Sequence, residues 1–176
     1  MSYITTYTGK YIDPTNPDMS MVEIRDIAHA LSLICRGNGH VQTFFSVGQH
    51  CLNCAREALA RGYDRRVVLA CLLHDASEAY MSDVPRPVKR LLPEYVAAED
   101  ALLEQIYEKY LGSPLTEKEQ ALVKTIDDDM LYYDLKVLLR ETQDRPAPLL
   151  QITLDYQVLP FAQVEEAYME LFAQLQ

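Results

Sequence analysis

The segment Leu72–Glu78 places ionisable side chains directly after the most apolar stretch of the chain. His74 and Asp75 follow the run Val67–Leu73, and Glu78 lies one helical turn after His74, hence on the same face. An ionised carboxylate buried there is costly unless a cation or strong hydrogen-bond donors compensate it. The group therefore favours a divalent metal site. The alternative is an ordinary helix end at which His74 caps carbonyl groups and the acids face solvent.

Two other segments strengthen the metal hypothesis. His50 lies in the first turns of a predicted helix and is followed by small apolar residues that indicate a buried face. A histidine of this kind is more often a hydrogen-bonded core residue than a ligand. The acids Asp127–Asp129 lie in the middle of another predicted helix, where three successive carboxylates repel one another and lower helix propensity. At least one should point inward, although a solvated acidic face is the alternative, above all for Asp128 and Asp129.

The cysteines allow a second kind of metal site. Cys51 and Cys54 form a C-x-x-C motif, which is typical of zinc or redox chemistry. A four-thiolate zinc site needs a second pair at similar spacing, and Cys35 and Cys71 are isolated. We therefore interpret the cysteines as small core residues on helices.

Apolar periodicity and capping signals predict the helices that must position these side chains. The predicted helices run from Met21 to about Ile34, from Ser46 to about Arg61, from Asp64 through Leu73, from Pro93 to about Leu111, from Thr116 to about Arg140, and from Pro160 onward. Residues 1–20 form an irregular arm with a short hairpin around Thr8-Gly9. Residues 149–159 are ambiguous, because their apolar residues alternate as in a strand. We expect an all-α fold, with residues 1–176 as one domain.

Composition limits the function. Apolar residues make up 49% of the 176 residues, and the formal net charge is −10. This charge argues against general binding of nucleic acid or of an anionic membrane. No apolar run approaches the roughly 20 residues that span a bilayer, and the N-terminus lacks the apolar stretch of a signal peptide. We therefore expect a soluble, cytoplasmic protein.

The order His50, then His74-Asp75, then Asp127 resembles that of the HD-domain metal-dependent phosphohydrolases. The resemblance covers roughly Ile24–Leu139. It points to the small single-domain branch that contains bacterial 5′-deoxynucleotidases and phage deoxynucleoside-triphosphate triphosphohydrolases.

A longer motif makes this resemblance more specific. Glu78 follows the His-Asp doublet, and the segment Asp83–Lys89 reads D-V-P-R-P-V-K, similar to the D-x-P-x-P-x-K segment of the family. Leu131 and Asp134 also fit the helix that carries the fourth ligand in this branch.

The resemblance implies a role for each matching residue. It implies that the metal ligands are His50, His74, Asp75 and Asp127, and that the ion is Mn, Co, Fe, Ni or Zn. Glu78 and Asp83 are then the catalytic acids that orient or deprotonate the attacking water or protonate the leaving oxygen. Arg36 and Lys89 match the cations that bind the substrate phosphate. For Arg36, interaction with the negative end of a helix is the alternative.

The resemblance also implies the substrate class. We expect hydrolysis of a small deoxynucleotide phosphate ester, as by a 5′-nucleotidase, in a homo-oligomer. The alternatives are a deoxynucleoside-triphosphate triphosphohydrolase and a non-catalytic nucleotide-sensing HD module; the complete set of ligands argues against the latter. Nucleotide-acting relatives often place an aromatic residue directly after the arginine, where this chain has Gly37. His40, Phe44 or Phe45 could supply the missing ring.

Overall fold

Helices form most of the protein, in a computed structural model that describes residues 3–176. In chain order the elements are β1 (Ile4–Thr5), β2 (Tyr11–Ile12), α1 (Ile24–Leu33), a 3₁₀ helix (Arg36–Gly39), α2 (Val47–Ala60), α3 (Arg65–Leu73), α4 (Glu78–Met81), α5 (Arg86–Lys89), α6 (Pro93–Leu111), α7 (Glu117–Leu138) and α8 (Phe161–Leu175). The predicted all-α class is confirmed, because β1 and β2 form only a minimal antiparallel pair. Within residues 3–176, no helix combines the length and apolar character needed to cross a membrane.

Local signals explain where the main helices begin. Ser46 before α2 and Thr116 before α7 each form a reciprocal capping box with the residue three positions later, as predicted. Asp64 caps α3 by accepting a hydrogen bond from the backbone N–H of Val67 at 3.0 Å. Helix α7 ends at Leu138, two residues earlier than expected.

The N-terminal arm contains the hairpin expected around Thr8-Gly9. Thr8 in this hairpin binds α1 through both its backbone and its side chain. Its N–H and its hydroxyl donate hydrogen bonds to the Asp26 carboxylate at 2.7 and 2.8 Å. The Tyr7 ring stacks on His29, with ring centroids 3.6 Å apart. The arm is thus tied to the helical core at its turn.

Helix α3 lies at the centre of the core. Every residue of Val67–Leu73 is buried, and the helix contacts α2, α6, α7 and α8. Tyr168 of α8 donates a hydrogen bond to the carbonyl oxygen of Leu72 at 2.7 Å. Because α3 ends inside the core, the side chains of His74 and Asp75, which follow it, are largely shielded from solvent.

Residues 149–159 form an irregular segment with a bend at 151–152, and within residues 3–176 they pair with no strand. Their backbone is bound by side chains instead: the buried Glu57 carboxylate accepts the N–H groups of Gln151 and Ile152 at 3.0 Å and pairs with Arg61 at 2.7 Å. Residues 148–156 alternate between half-buried and exposed, which matches the alternation of apolar residues in the sequence. Alternation alone therefore did not indicate a sheet.

Candidate metal centre

The four predicted ligands meet at the end of α3. His50 Nε2 lies 3.2 Å from His74 Nε2 and 3.2 Å from Asp127 Oδ1. His74 Nε2 lies 3.7 Å from Asp127 Oδ1 and 3.3 Å from Asp75 Oδ2. Two ligand atoms that bind one ion at about 2.0–2.2 Å lie about 3 Å apart at an angle of 90° and up to about 4.4 Å apart on opposite sides of the ion. The spacing of these atoms therefore fits a single transition-metal ion.

Hydrogen bonds on the far side of each ring fix how the two imidazoles face each other. His50 Nδ1 lies 2.8 Å from Asp134 Oδ2, and His74 Nδ1 lies 2.8 Å from the carbonyl oxygen of Cys71. Both partners are acceptors, so each Nδ1 donates a proton and each Nε2 points into the centre. Two nitrogen lone pairs 3.2 Å apart repel each other unless a proton or a metal ion lies between them. The arrangement thus requires a positive charge at this point.

The surroundings of His50 favour its charged form. Burial and the neighbouring Arg36 guanidinium both oppose a second proton on this ring. Cys54 and the hydrogen bonds to Asp127 and Asp134 outweigh them and raise the pKa of His50 well above its ordinary value. A metal ion would have to displace that proton to bind the ring, so metal binding at His50 would release a proton.

The partners of His50 show the same balance. Burial opposes a charge on His74, but neighbours led by Asp75 raise its pKa well above the ordinary value. Burial alone would raise the pKa of Asp127, but hydrogen bonds from His50 and His74 hold it far below its usual range. Asp75 Oδ2 is buried and has no hydrogen-bond partner among the described residues. This oxygen lies 3.3 Å from His74 Nε2 and 3.5 Å from the Arg36 guanidinium, and the residues present fit a bound metal.

Thiol groups lie against the same imidazoles. Cys54 Sγ is 3.5 Å from His50 Nε2, and together with His74 these residues form a group that could hold a metal ion. Cys51, His74 and Asp75 form a second such group. Cys51 and Cys54 are buried free thiols on α2, as expected of core residues, but their contact with the imidazoles was not predicted.

The two predicted catalytic acids lie beside the ligands. Glu78 begins α4 and is only 6% exposed, and its Oε2 has no hydrogen-bond partner within residues 3–176. Burial, followed by the negative charges of Asp75 and Asp83, raises the pKa of Glu78 well above its ordinary value. Glu78 is thus a carboxyl group well suited to holding a proton. Asp83 is half-buried in the wall of the adjoining cavity.

The two predicted phosphate-binding cations are engaged with protein carboxylates. The Arg36 guanidinium lies between Asp75 and Asp134, 3.5 Å from an oxygen of each. The Lys89 ammonium lies 2.7 Å from Glu99. Both cations line the cavity beside the ligands. Their contact with a substrate phosphate stays a prediction.

A third cation was not singled out from the sequence. Arg86 Nη2 lies 3.2 Å from Asp127 Oδ2, on the oxygen that faces away from the imidazoles. Its side chain is 59% exposed, in contrast to the enclosed Arg36. The sequence did contain a signal for Arg86, because it lies between two prolines inside the Asp83–Lys89 motif. These prolines restrict the backbone on either side of Arg86.

Two cavities, of about 760 and 560 Å³, open onto the centre and share Asp75, Glu78, Lys89 and Asp127 in their walls. The larger also contains Arg36 and Arg86. Its lining also includes the aliphatic side chains of Val41, Val84, Leu131, Leu135, Leu138 and Leu139. The larger cavity thus combines charged and apolar lining residues.

The backbone next to Arg36 explains why no aromatic residue follows it. Gly37 has a φ of 59°, a left-handed conformation that other residues rarely adopt. A Cβ at this position would meet Val41 at 3.5 Å and Leu139 at 3.6 Å, which are ordinary contact distances, so the backbone conformation rather than lack of space favours glycine. Of the rings considered from the sequence, His40 lines the larger cavity, whereas Phe45 is buried against Tyr156.

Comparison with known proteins establishes kinship. The chain is 38% identical over 146 residues to YfdR of Escherichia coli strain K12, described as uncharacterized, and the match covers 82% of this chain and 72% of YfdR. It is 35% identical over 109 residues to the uncharacterized protein RCAP_rcc00048 of Rhodobacter capsulatus, covering 58% of this chain and 55% of that relative. No family model matches the chain. Neither relative's name states an activity, but at this identity and coverage the chain belongs to the family of YfdR.

Proposed function

We propose that this protein is a divalent-metal-dependent phosphohydrolase that acts on a small nucleotide, of the HD type that its motifs resemble. One observation carries the proposal: the Nε2 atoms of His50 and His74 face each other at 3.2 Å, with Asp127 Oδ1 at 3.2 Å from the first. A proton or a metal ion between the two nitrogens would satisfy that arrangement, and two imidazoles with carboxylates suit Mn, Co, Fe, Ni or Zn. The acid and the cations beside it then match phosphate-ester hydrolysis.

Each side chain has a distinct task in this proposal. His50, His74, Asp75 and Asp127 hold the ion. The bound ion supplies positive charge that polarises a phosphoryl oxygen and acidifies the attacking water. Glu78 takes or gives the proton of the reaction, because its carboxyl group is buried beside the ligands with one oxygen free of hydrogen bonds.

The larger cavity supports a nucleotide as the substrate. Its lining includes Arg36, Arg86 and Lys89 among several carboxylates, and these cations are the groups that would contact a phosphate. Its aliphatic side chains offer apolar contact to a base and a sugar without an aromatic stacking partner. We propose a deoxynucleoside monophosphate as the substrate, with its single phosphate contacted by these three cations.

The test is release of phosphate, pyrophosphate or triphosphate from a panel of deoxynucleoside monophosphates, deoxynucleoside triphosphates and ribonucleotides. Metal-stripped protein receives Mn²⁺, Co²⁺ or Zn²⁺ in turn. We expect metal-dependent phosphate release from a monophosphate, and none from the His74→Ala variant. The matched control is His29→Ala, because His29 lies on α1 and contacts Tyr7 and Glu165 rather than the centre.

Each other outcome changes the proposal in a defined way. Triphosphate release from a deoxynucleoside triphosphate would replace the monophosphate by the triphosphohydrolase reaction. Metal binding and nucleotide binding without any product would indicate a sensing module. Activity that survives complete removal of metal would refute metal-dependent hydrolysis.

A further inference from the structure

Asp134 forms the outer hydrogen bond of a ligand that the proposed function assigns to the metal. Its Oδ2 lies 2.8 Å from His50 Nδ1, on the opposite side of the ring from the ligand atom. Asp134 is 6% exposed and comes from α7, two turns after Asp127, whereas His50 lies on α2. A single carboxylate thus joins the two helices behind the centre.

Further contacts hold that carboxylate in place. The Tyr156 hydroxyl donates to Asp134 Oδ1 at 3.0 Å, so the two carboxylate oxygens have different partners. Arg36 reaches Asp134 Oδ2 at 3.5 Å and also Asp75, itself a predicted ligand. Tyr156 belongs to the segment 149–159 that Glu57 binds by its backbone. Asp134 is therefore fixed in position from two sides.

We infer that Asp134 is a positioning residue of the metal centre. Asp134 keeps His50 Nδ1 protonated and directs His50 Nε2 at the ion, and Tyr156 holds Asp134 in place. A carboxylate behind a ligating imidazole fixes its tautomer and its ring orientation and makes the ligand nitrogen more basic. The inference rests on the proposed metal centre, but it requires no particular substrate. It also makes segment 149–159 part of the centre through Tyr156.

The test is the affinity of metal-stripped variants for Co²⁺, measured by titration calorimetry, with the visible spectrum of bound Co²⁺ as a second readout. Asp134→Asn should lower the affinity about 10- to 100-fold and shift the spectrum, because the ligand loses its charged partner. Tyr156→Phe removes only the hydroxyl that holds Asp134, so a loss of about 2- to 10-fold is expected.

Two variants provide matched controls. Asp129→Asn removes a carboxylate from the same helix that pairs with Arg61. Tyr133→Phe removes a hydroxyl that binds the carbonyl of Pro148 at 2.7 Å, just before segment 149–159. Within the described residues neither side chain is bonded to a predicted ligand, so both variants should bind Co²⁺ within about twofold of the unmodified protein.

The outcomes separate this inference from the proposed function. Unchanged Co²⁺ affinity in Asp134→Asn, or an equal loss in Asp129→Asn, would overturn the positioning role. If Asp134→Asn fails to fold, the difference between Tyr156→Phe and Tyr133→Phe decides. Absence of Co²⁺ binding in the unmodified protein would overturn the metal centre and this inference together. Tight binding with the expected variant effects but no hydrolysis would support Asp134 and refute the phosphohydrolase alone.

Discussion

Replacement of Glu78 by glutamine should stabilise the metal-free protein while it abolishes most turnover. The side chain is 6% exposed, its Oε2 has no hydrogen-bond partner within the described chain, and Lys89 Nζ lies 3.8 Å from its other oxygen. Burial and the charges of Asp75 and Asp83 raise its pKa in the folded protein above that of the unfolded chain. The folded state therefore retains this proton to higher pH, and the free energy of unfolding falls as pH rises through the folded pKa.

Above that pH, glutamine has nearly the same volume and no charge to bury. The free energy of unfolding of Glu78→Gln should exceed that of the unmodified protein by about 1–2 kcal/mol, the usual cost of a buried polar group without its partner. Turnover should fall about 100- to 10,000-fold, which is the usual contribution of a general acid or base. Metal content should not change, because Glu78 is not among the proposed ligands.

The assays are urea unfolding of metal-stripped protein at several pH values, metal content after dialysis, and phosphate release. Glu104→Gln is the control, because Glu104 is exposed in the wall of the smaller cavity and should change none of the three quantities. Turnover near that of the unmodified protein would remove Glu78 from the reaction. Loss of metal together with stability would instead make Glu78 a ligand or a structural acid.

Three more predictions concern the ligands and the core. His74→Ala should lose bound metal and retain the helical circular dichroism spectrum; full metal content would remove His74 from the ligand set. In the folded protein, neighbouring acidic groups outweigh burial and raise the pKa values of His50 and His74. The contribution of these two histidines to the free energy of unfolding should therefore be complete below the ordinary pKa of 6.5 and lost as pH rises through the folded pKa values. Urea unfolding of metal-free protein should show this loss, and saturating Zn²⁺ should abolish it. Glu57→Ala should lower the free energy of unfolding by about 3 kcal/mol. The change removes one of the two carboxylates that pair with Arg61 and leaves the backbone N–H groups of Gln151 and Ile152 unpaired. A thermal unfolding midpoint within about 1 °C of that of the unmodified protein would contradict this structural role of Glu57.

Features set by neighbouring residues could be predicted from the sequence. The capping residues Ser46 and Thr116 specify the starts of α2 and α7 because their hydrogen bonds span three positions. The apolar run Val67–Leu73 indicated a helix buried on all sides, and it placed His74 at the edge of the core. The convergence of His50 and Asp127 on His74 came from the resemblance, since no local pattern fixes contacts between three helices.

Features that depend on distant contacts could not be predicted in this way. His50 and Asp134 are 84 positions apart, so the spacing of residues carries no signal of their hydrogen bond. The sequence placed Asp134 on the right helix without a role, and it left Tyr156 in a segment of ambiguous structure. The pairing of Arg36 with two carboxylates likewise follows from helix packing, whereas the resemblance implied only a phosphate-binding role for it.

The charges around the centre favour a definite order of binding under the proposed function. Arg36 pairs with both Asp75 and Asp134, and Arg86 contacts Asp127, so the cations that would bind phosphate are engaged by proposed ligand carboxylates or their neighbours. A cation held by Asp75 and Asp127 would weaken the attraction of those carboxylates for the two guanidinium groups. Arg36 and Arg86 would then be more available to an anion in a chain whose net charge is −10. Metal binding should therefore precede phosphate binding, because the same carboxylates that hold the ion otherwise occupy the groups that recognise the substrate.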